Sequence, residues 1–455
     1  MKRNYFGTDG VRGRYGGELM NEAFARRLGA AAARFVLAGG ATPGALAIIG
    51  CDTRASGPSL AHALAEGLAS AGLVPMQAGI LPTPAVNLAV RLEKAVLGAV
   101  VTASHNPAAD NGIKFFGGSG LKLSDAEECE IEHLMDGLPA DIRASGSAPA
   151  SPLTAAPFLD ASTLYKKTVT ALLPMNALSG WKIVLDTANG AACTTSRDVL
   201  QQLGAELVLL GNQPDGHNIN DGVGSQHPEK MCAAVRAGTA TLGIAHDGDA
   251  DRCVLCDETG EVLDGDEILT LLALHALKED RLANQTLVVT VQSNLGVDAA
   301  VKAAGGRVCR TPVGDRYVIE RMLAEGATLG GESSGHVVCA DVSPTGDGLV
   351  AALKVIEVML ATRQLLSELR QGLQKFPQRT AALLVREKKP IETLPALTAA
   401  IKAVESELGA QGRVLVRYSG TESLLRLLVE GPTEETVSAS LARLEAAARE
   451  DLDVV

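Results

Sequence analysis

The chain has 455 residues, of which 46% are hydrophobic and 21% charged, a composition typical of a globular protein with about three domains. The formal net charge of −12 argues against nucleic acid and anionic membranes as partners, since both attract basic proteins. No uncharged apolar run approaches the ~18 residues of a membrane span, and the N-terminal sequence MKRNYFGTDG lacks the apolar core of a signal peptide. Eight scattered cysteines, several inside apolar runs, are typical of buried reduced thiols and predict a cytoplasmic location.

Three segments of the chain repeat one plan. Each begins with an apolar strand, continues as an Ala/Leu-rich helix that ends on Gly, adds a second short strand, and reaches a third strand that starts near Leu-Gly. The first strands are predicted at 45–54, 182–191 and 286–294, and the third strands at 95–107, 240–252 and 327–337. This order indicates parallel α/β units, whose polar loops lie at one edge of each sheet.

The chain beyond residue 375 has a different pattern, with strand-like runs and amphipathic helices that predict a small α+β domain. A segment rich in Ser, Pro and Ala at 146–157 predicts a linker after the first unit. We therefore predict an α/β protein with three similar mixed α/β/α domains and a smaller C-terminal α+β domain. The predicted boundaries are 1–150, 158–262, 263–372 and 375–455.

The first polar loop, TASHNP at 102–107, is called the serine loop. Pro107 removes a backbone donor and disfavours helix before it, so we expect Ser104 on an exposed loop tip. A free serine is a weak nucleophile that needs a base or a metal beside it, and His105 and Lys114 are near enough in sequence to serve. An ordinary capping turn explains the same residues equally well.

The second polar loop, HDGDADR at 246–252, is called the aspartate loop. Its three aspartates alternate directly after an apolar strand, and crowded carboxylates repel one another unless a cation lies among them. Hard oxygen ligands on a short loop suit Mg²⁺ and leave positions open for a phosphate. Arg252 adds a positive charge of the kind that phosphoryl transfer uses. The alternative is a solvated acidic loop.

The third polar loop, GGESSGH at 330–336, is called the glutamate loop. Glu332 and Ser334 are two residues apart, so in an extended chain their side chains point the same way. A carboxylate beside a hydroxyl suits recognition of sugar hydroxyls, although this motif alone is weak evidence.

Two further segments carry arginines among small residues. RYSGTES at 417–423, the arginine loop, offers successive backbone N–H groups for an anion, with Arg417 for bidentate contacts. GTDGVRG at 7–13 places Arg12 on a glycine-rich segment, for which a flexible terminus is the simpler interpretation. TPVGDRYV places Asp315 directly after a strand.

Taken in order, TASHNP, DGDADR, GESSGH and RYSGTE resemble the four signatures of the α-D-phosphohexomutase superfamily, over nearly the whole chain. FGTDGVRG and PTGDG make the chain similar to the bacterial phosphoglucosamine mutase family within it. The resemblance implies four domains around a central cleft. It also implies that phosphoserine 104 donates its phosphoryl group to O1 of glucosamine 6-phosphate. Glucosamine 1,6-bisphosphate would be the activating intermediate and glucosamine 1-phosphate the product, feeding amino-sugar nucleotide and cell-wall precursor synthesis.

The same resemblance implies a role for each matching residue. The implied catalytic residues are Ser104, His105, Lys114, Arg12 and Arg252. The implied ligands of one Mg²⁺ per subunit are Ser104, Asp247, Asp249 and Asp251. The implied substrate-binding residues are Glu332, Ser334 and His336 for the sugar and Arg417, Ser419, Gly420 and Thr421 for the non-reacting phosphate. The chain departs from the family at Ala250, where Gly is more usual.

Three other functions are kept as alternatives. The first is a phosphomannomutase or phosphoglucomutase of the same superfamily, because Glu332 with Ser334 does not by itself show a preference for a 2-amino sugar. A Mg²⁺-dependent phosphatase with Asp247 as its nucleophile, or a non-catalytic sugar-phosphate-binding protein, would use the same loops differently. The expected partner is a phosphorylated amino sugar, with no nucleic acid or membrane, and a homodimer is allowed.

Overall fold

The computed structural model describes residues 3–7, 9–139, 159–419 and 423–455, so the predicted linker at 146–157 lies outside the described residues. Within these ranges the chain forms three α/β/α domains and a C-terminal domain with an antiparallel sheet, which confirms the predicted fold class.

The first domain surrounds a five-stranded sheet. Its strands are β1 (Val11–Arg14), β2 (Leu46–Cys51), β3 (Val74–Ile80), β4 (Leu97–Val101) and β5 (Asp110–Gly117). Its helices are α1 (Glu22–Ala38), α2 (Gly57–Ser70), α3 (Thr83–Leu92) and α4 (Asp125–Asp136). The sheet order is β1-β5-β4-β2-β3, in which β2 is parallel to β3 and β4, whereas β5 is antiparallel to β4 and β1. Every residue of β4 is buried, as expected for a strand covered by helices on both faces.

The second domain repeats this arrangement. Its helices are α5 (Ala161–Thr170), α6 (Ala192–Gln202) and α7 (Glu229–Gly238). Its strands are β6 (Lys182–Asp186), β7 (Glu206–Leu210), β8 (Leu242–His246), β9 (Cys253–Cys256) and β10 (Val262–Leu263). The order is β10-β9-β8-β6-β7, with β6 parallel to β7 and β8 and with β9 antiparallel to β8.

The third domain repeats it again with one strand fewer. Its strands are β11 (Thr286–Thr290), β12 (Arg307–Thr311), β13 (Leu329–Gly331) and β14 (Val337–Cys339). Its helices are α8 (Gly265–Lys278), α9 (Leu295–Ala303), α10 (Asp315–Glu325), α11 (Gly348–Thr362) and α12 (Leu366–Leu369). The order is β12-β11-β13-β14, and β14 is antiparallel to β13.

The C-terminal domain is a three-stranded antiparallel sheet with two helices. Its elements are β15 (Gln378–Leu384), α13 (Pro395–Leu408), β16 (Arg413–Tyr418), β17 (Leu424–Glu430) and α14 (Glu434–Asp451). The central strand is β17, and the domain has its own apolar core. One core extends across the first three domains, from Val86 through Leu185 to Ile356, and each of these domains also has a core cluster of its own.

The antiparallel strand at the end of each repeat gives the polar loops their shape. The serine, aspartate and glutamate loops each connect the third parallel strand, β4, β8 or β13, to the antiparallel strand β5, β9 or β14 that follows it. Each loop is therefore a hairpin connection at the carboxyl end of a buried strand, and the three hairpins contribute to one central site.

Several of the helices begin at side chains that satisfy their first N–H groups. Ser124 with Glu127 caps α4, and Asp264 with Glu267 caps α8, each as a capping box. Asp347 caps α11 by accepting hydrogen bonds from Leu349 and Val350 and also accepts one from Tyr165 of the second domain. No helix in the described part of the chain is long and apolar enough to cross a membrane.

Candidate active site

Ser104 lies at the centre of the serine loop in an unusual backbone conformation. Its φ is 51°, in the left-handed region, and its N–H donates to Thr102 Oγ1 at 2.9 Å. The expectation of an exposed serine is wrong for this structure, because Ser104 is 0% exposed. Its Oγ donates instead to Asp247 Oδ2 of the aspartate loop at 2.6 Å. The hairpins from the first two domains thus meet at the hydroxyl group.

Two side chains from distant segments hold the serine loop by its carbonyl groups. Arg54 is buried and donates to the carbonyls of Ser104, Asn106 and Pro107 at 3.1, 2.8 and 2.6 Å. Asn220 of the second domain donates to the carbonyls of Ser104 and Asn106 at 2.8 and 3.0 Å. These five hydrogen bonds fix a loop whose own backbone conformation is strained.

The three aspartates of the aspartate loop form one buried cluster. One carboxylate oxygen of each lies within 4.8 Å of those of the other two. Burial, together with the charges of Asp251 and Asp249, raises the pKa of Asp247 to about 7. Oδ1 of Asp249 and Oδ1 of Asp251 are buried without a hydrogen-bond partner among the described residues. A set of hard, crowded and partly unsatisfied oxygen atoms fits a divalent cation.

Lys114, on β5, places its ammonium group against this cluster. Its Nζ lies 3.0 Å from Asp249 Oδ2, 3.4 Å from Asp251 Oδ2 and 2.9 Å from Asp9 Oδ2. Burial disfavours the charged form of this lysine, yet the carboxylates, above all Asp249 and Asp9, hold its pKa well above the ordinary value. Lys114 therefore carries a positive charge beside the aspartate cluster.

The sequence-predicted catalytic arginines contact the aspartate and serine loops. Arg252 is close to the cluster. Its backbone N–H donates to Asp247 Oδ1 at 3.3 Å, and its side-chain Nε lies 3.8 Å from Asp251 Oδ1. Arg12 lies in β1, so the alternative of a flexible terminus is wrong, and its guanidinium contacts Asp9 and Asn106. All the predicted catalytic residues are thereby brought together.

His105 is the nearest titratable side chain to Ser104 on its own loop. Its Nδ1 lies 3.3 Å from Ser104 Oγ. Burial and the charges of Arg252 and Arg12 lower the pKa of His105 to about 4. The imidazole is therefore neutral near pH 7 and able to accept a proton.

The glutamate loop differs from its prediction in shape. Residues 332–335 form a tight turn closed by the Gly335 N–H donating to the Glu332 carbonyl at 3.1 Å, so Glu332 and Ser334 are not aligned in an extended chain. Ser334 is exposed, whereas Glu332 is half-buried and its Oε1 accepts from the Gly314 N–H at 3.0 Å. His336 is buried, with its ring nitrogens 3.6 Å from Asp251 Oδ1 and 3.4 Å from Asp315 Oδ2.

The arginine loop begins at the end of β16, opposite β17. Arg417 is paired in register with Arg426, which places two like charges directly across the sheet from each other. Burial and the charge of Arg426 lower the pKa of Arg417. Such a pair is unfavourable by itself and suits a shared anion. Ser419 is buried next to them, and Gly420 and Thr421 lie outside the described residues.

A cleft of about 240 Å³ joins these elements, and all four domains line it. The lining residues are Asp9, Lys122, Asp251, Arg252, Val313, Gly314, Asp315, Glu332, His336, Arg417, Ser419 and Arg426. The lining brings Asp251 of the aspartate cluster together with Arg417 and Arg426 of the C-terminal sheet, and it includes both carboxylates and cationic side chains. The arrangement suits a small, polar, anionic molecule.

Several residues of the site were missed by sequence reasoning. Arg54 and Asn220 carry no local signal for a role at a serine that is 50 and 116 residues away. Asp9 and Lys122 pair at 2.5 Å from segments far apart in the sequence. Arg426 had a usable signal, since it occupies the strand opposite Arg417, but the register between strands was needed to see it.

Four domain models of the phosphoglucomutase/phosphomannomutase family match the chain in order. The α/β/α domains I, II and III match residues 3–139, 163–260 and 264–376, and the C-terminal domain matches residues 381–447. A crystal structure of a phosphoglucomutase/phosphomannomutase family protein from Burkholderia thailandensis has the same fold, with a TM-score of 0.82, 24% identity and 100% of each chain covered. Fold and site thus define the class, the four-domain phosphohexomutases.

Curated relatives narrow the class. The phosphoglucosamine mutase of Moorella thermoacetica is 46% identical over 444 residues, covering 97% of this chain and 98% of the relative. That of Heliobacterium modesticaldum is 44% identical over 452 residues, covering 94% and 96%. The chain belongs to the phosphoglucosamine mutase family, whose members are isomerases of the phosphohexomutase superfamily. The resemblance seen in the sequence is confirmed.

Proposed function

We propose that the protein interconverts glucosamine 6-phosphate and glucosamine 1-phosphate through a phosphorylated Ser104 and glucosamine 1,6-bisphosphate. The observation that carries this proposal is the contact of 2.6 Å between Ser104 Oγ and Asp247 Oδ2, at a cluster of three buried carboxylates. That contact puts a hydroxyl nucleophile beside a set of metal ligands. Relatives that match over nearly the full length are named phosphoglucosamine mutase, which supports glucosamine as the sugar.

Mg²⁺ is the cation that the donor set favours, because all the ligand atoms are hard oxygens and two of them lack hydrogen bonds. Asp247, Asp249, Asp251 and Ser104 would hold one such ion per subunit. Bound there, it would offset negative charge on the phosphoryl group in transfer.

The surrounding side chains have separate tasks in the proposed reaction. In each half, a P–O bond breaks at one oxygen and a P–O bond forms at another, and the proton lost by the accepting hydroxyl group ends on the oxygen that releases the phosphoryl group. Lys114, Arg12 and Arg252 offset charge on the phosphoryl oxygens. Neutral His105, 3.3 Å from Ser104 Oγ, accepts the serine proton when the serine is rephosphorylated and returns it in the opposite half.

The far side of the cleft binds the rest of the substrate. We assign the sugar hydroxyl groups to Glu332, with Ser334 at the exposed rim and His336 behind it. Arg417, Ser419, Gly420 and Thr421, joined by Arg426, hold the phosphate that is not reacting. Because either end of the bisphosphate must reach Ser104 in turn, this one anion site accepts the phosphate on C1 or on C6.

The location and assembly of the protein are also proposals. None of its eight cysteines, all within the described residues, forms a disulfide, and seven of them are buried, which supports a reducing cytoplasm. The substrate is a phosphorylated amino sugar, and a homodimer remains a prediction.

A coupled assay tests the proposed activity. The purified protein receives Mg²⁺, a trace of sugar bisphosphate and the 6-phosphate of glucosamine, glucose or mannose in parallel reactions. We expect turnover to be fastest with glucosamine 6-phosphate. Faster turnover of glucose or mannose phosphate would instead support a phosphoglucomutase or phosphomannomutase.

A mass measurement separates the mutase from a phosphatase that uses Asp247. An acyl phosphate on aspartate reacts with hydroxylamine, whereas a phosphoserine is stable to it. We therefore expect the intact mass of the phosphorylated protein to be unchanged by hydroxylamine. Loss of the phosphoryl group would contradict the assignment to Ser104.

A further inference from the structure

Asp9 contacts three cationic side chains of the site although it is not part of the aspartate cluster. Its Oδ2 lies 2.9 Å from Lys114 Nζ, its Oδ1 lies 2.5 Å from Lys122 Nζ, and Arg12 also pairs with it. Lys114 and Lys122 are almost fully buried, with 2% and 5% of their side chains exposed. One carboxylate therefore serves as counter-ion to three positive groups.

The N-terminal segment is held so that Asp9 reaches this position. Glu132 on α4 is buried, and its carboxylate accepts hydrogen bonds from the backbone N–H groups of Asn4, Tyr5 and Phe6 at 2.7, 2.7 and 2.8 Å. Beyond Asp9, β1 pairs with β5, the strand that carries Lys114. Gly10, with a φ of 76°, packs so closely that an added Cβ would lie 2.4 Å from the Ile113 carbonyl oxygen. The segment is thus fixed on both sides of Asp9.

Lys114 would otherwise compete with the metal. Its buried ammonium group needs carboxylate partners, and the others within reach, Asp249 and Asp251, belong to the cluster that fits the cation. Every oxygen that pairs with the lysine is less available as a metal ligand. A carboxylate outside the cluster relieves this competition.

We infer that Asp9 is a positioning residue for the metal site, acting through Lys114. It shares the ammonium group with the cluster, so that the lysine stays beside the aspartates without occupying the oxygens that Mg²⁺ takes. The inference rests on the metal site of the proposed function and adds to it a residue that touches neither the metal nor the reacting atoms.

The test is the affinity of the substrate-free protein for Mg²⁺, titrated by calorimetry on samples shown by intact mass to share one phosphorylation state. We expect Asp9→Asn to weaken Mg²⁺ binding by about 10-fold, the usual effect of losing a supporting residue around a metal site. Asp9→Glu, which keeps the charge, should recover part of the loss. The control is Asp341→Asn, since Asp341 is half-exposed and pairs with Lys354 at 2.9 Å, and it should bind Mg²⁺ as the parent does.

A double-mutant cycle shows whether Asp9 acts through the lysine. In a Lys114→Met background the effect of Asp9→Asn should shrink to less than about twofold, because the coupled partner is gone. Equal effects in both backgrounds would mean that Asp9 acts only through its charge and would overturn the inference. Thermal unfolding of each variant checks that the fold is retained. If Asp9→Asn is partly unfolded, the same Mg²⁺ titration is carried out on Asp9→Ser.

The Mg²⁺ titrations distinguish failure of the proposed metal site from failure of the role inferred for Asp9. If the parent protein binds no Mg²⁺, the metal site of the proposed function is wrong and the inference falls with it. If the parent binds Mg²⁺ and Asp9→Asn binds it equally well, the inference alone is wrong.

Discussion

The serine loop and the aspartate loop follow matching strands, yet different groups hold them in place. The carbonyls of the serine loop accept hydrogen bonds from the side chains of Arg54 and Asn220. Three central carbonyls of the aspartate loop accept from backbone N–H groups instead. Those of Gly248, Asp249 and Ala250 accept from Ala191, Thr83 and Gly348 at 2.8, 2.9 and 3.1 Å.

In the aspartate loop, the groups that hold the loop in place differ from the groups that are available for chemistry. Because backbone groups fix the aspartate loop, oxygens such as Asp249 Oδ1 and Asp251 Oδ1 are left without hydrogen bonds and can take a cation. The serine loop presents one reactive hydroxyl, and the side chains of Arg54 and Asn220, from outside the loop, hold it in position. We expect the serine loop to be sensitive to distant single substitutions and the position of the aspartate loop to be insensitive to them.

The largest expected effect comes from removing the serine hydroxyl. Ser104→Ala should lower turnover of glucosamine 6-phosphate by at least ~10⁴-fold, since no nucleophile is left to carry the phosphoryl group. The aspartate cluster stays intact, so Mg²⁺ titration should still show binding. Ser119→Ala, in an exposed turn of the same domain, is the control. Substantial turnover by Ser104→Ala would support the phosphatase alternative, whereas sugar-phosphate binding without turnover by the parent protein would support the binding-protein alternative.

Removing one support of the serine loop should have the next largest effect. Asn220→Ala deletes the two hydrogen bonds to the carbonyls of Ser104 and Asn106, and misplacing the hydroxyl should lower kcat by up to about 100-fold. Asn218→Ala, whose side chain bonds within its own loop, should leave kcat unchanged. A loss of Mg²⁺ affinity equal to the loss of kcat would show that the two loops are not independent.

A smaller effect is expected from pH on the aspartate loop. Burial and its charged neighbours raise the pKa of Asp247 to about 7, so below that pH a metal ion must displace a proton. The dissociation constant for Mg²⁺ should rise by up to about 10-fold for each pH unit below 7. Calorimetric titration between pH 5.5 and 8 measures this. An equal slope in Asp247→Asn would exclude Asp247 as its source.

The smallest effect concerns the backbone at the two loops. Ala250 has a φ of 57°, close to the 51° of Ser104, which costs a non-glycine residue about 1 kcal/mol. Ala250→Gly relieves this strain but gives the unfolded chain a comparable entropy, so the free energy of unfolding should change by less than about 1 kcal/mol. Urea unfolding measures it. A larger loss would show that the Ala250 methyl group, 3% exposed, is a packing element.

How much of the site is predictable from sequence depends on where its signals lie. The aspartate triad, Ser104 and Arg252 stand in short motifs directly after predicted strands, and Lys114 is near Ser104 in the sequence. The structure brings all of them together. Asp9 was overlooked although its motif was noted, because its importance comes from Lys114 and Lys122 of other segments. Arg54 and Asn220 could not be predicted for the same reason, since neither belongs to the loop that it holds.

The sequence by itself determined the repeated strand–helix–strand units, the α+β tail and the order of the loops. Apolar periodicity and Gly-terminated helices are local, and they suffice for these features. Only the tertiary structure decided that an antiparallel strand follows each loop and that Ser104 is buried against Asp247. Those features depend on strand pairing and on contacts between residues far apart in the sequence, as between Ser104 and Asp247, 143 residues away, which a local pattern does not encode.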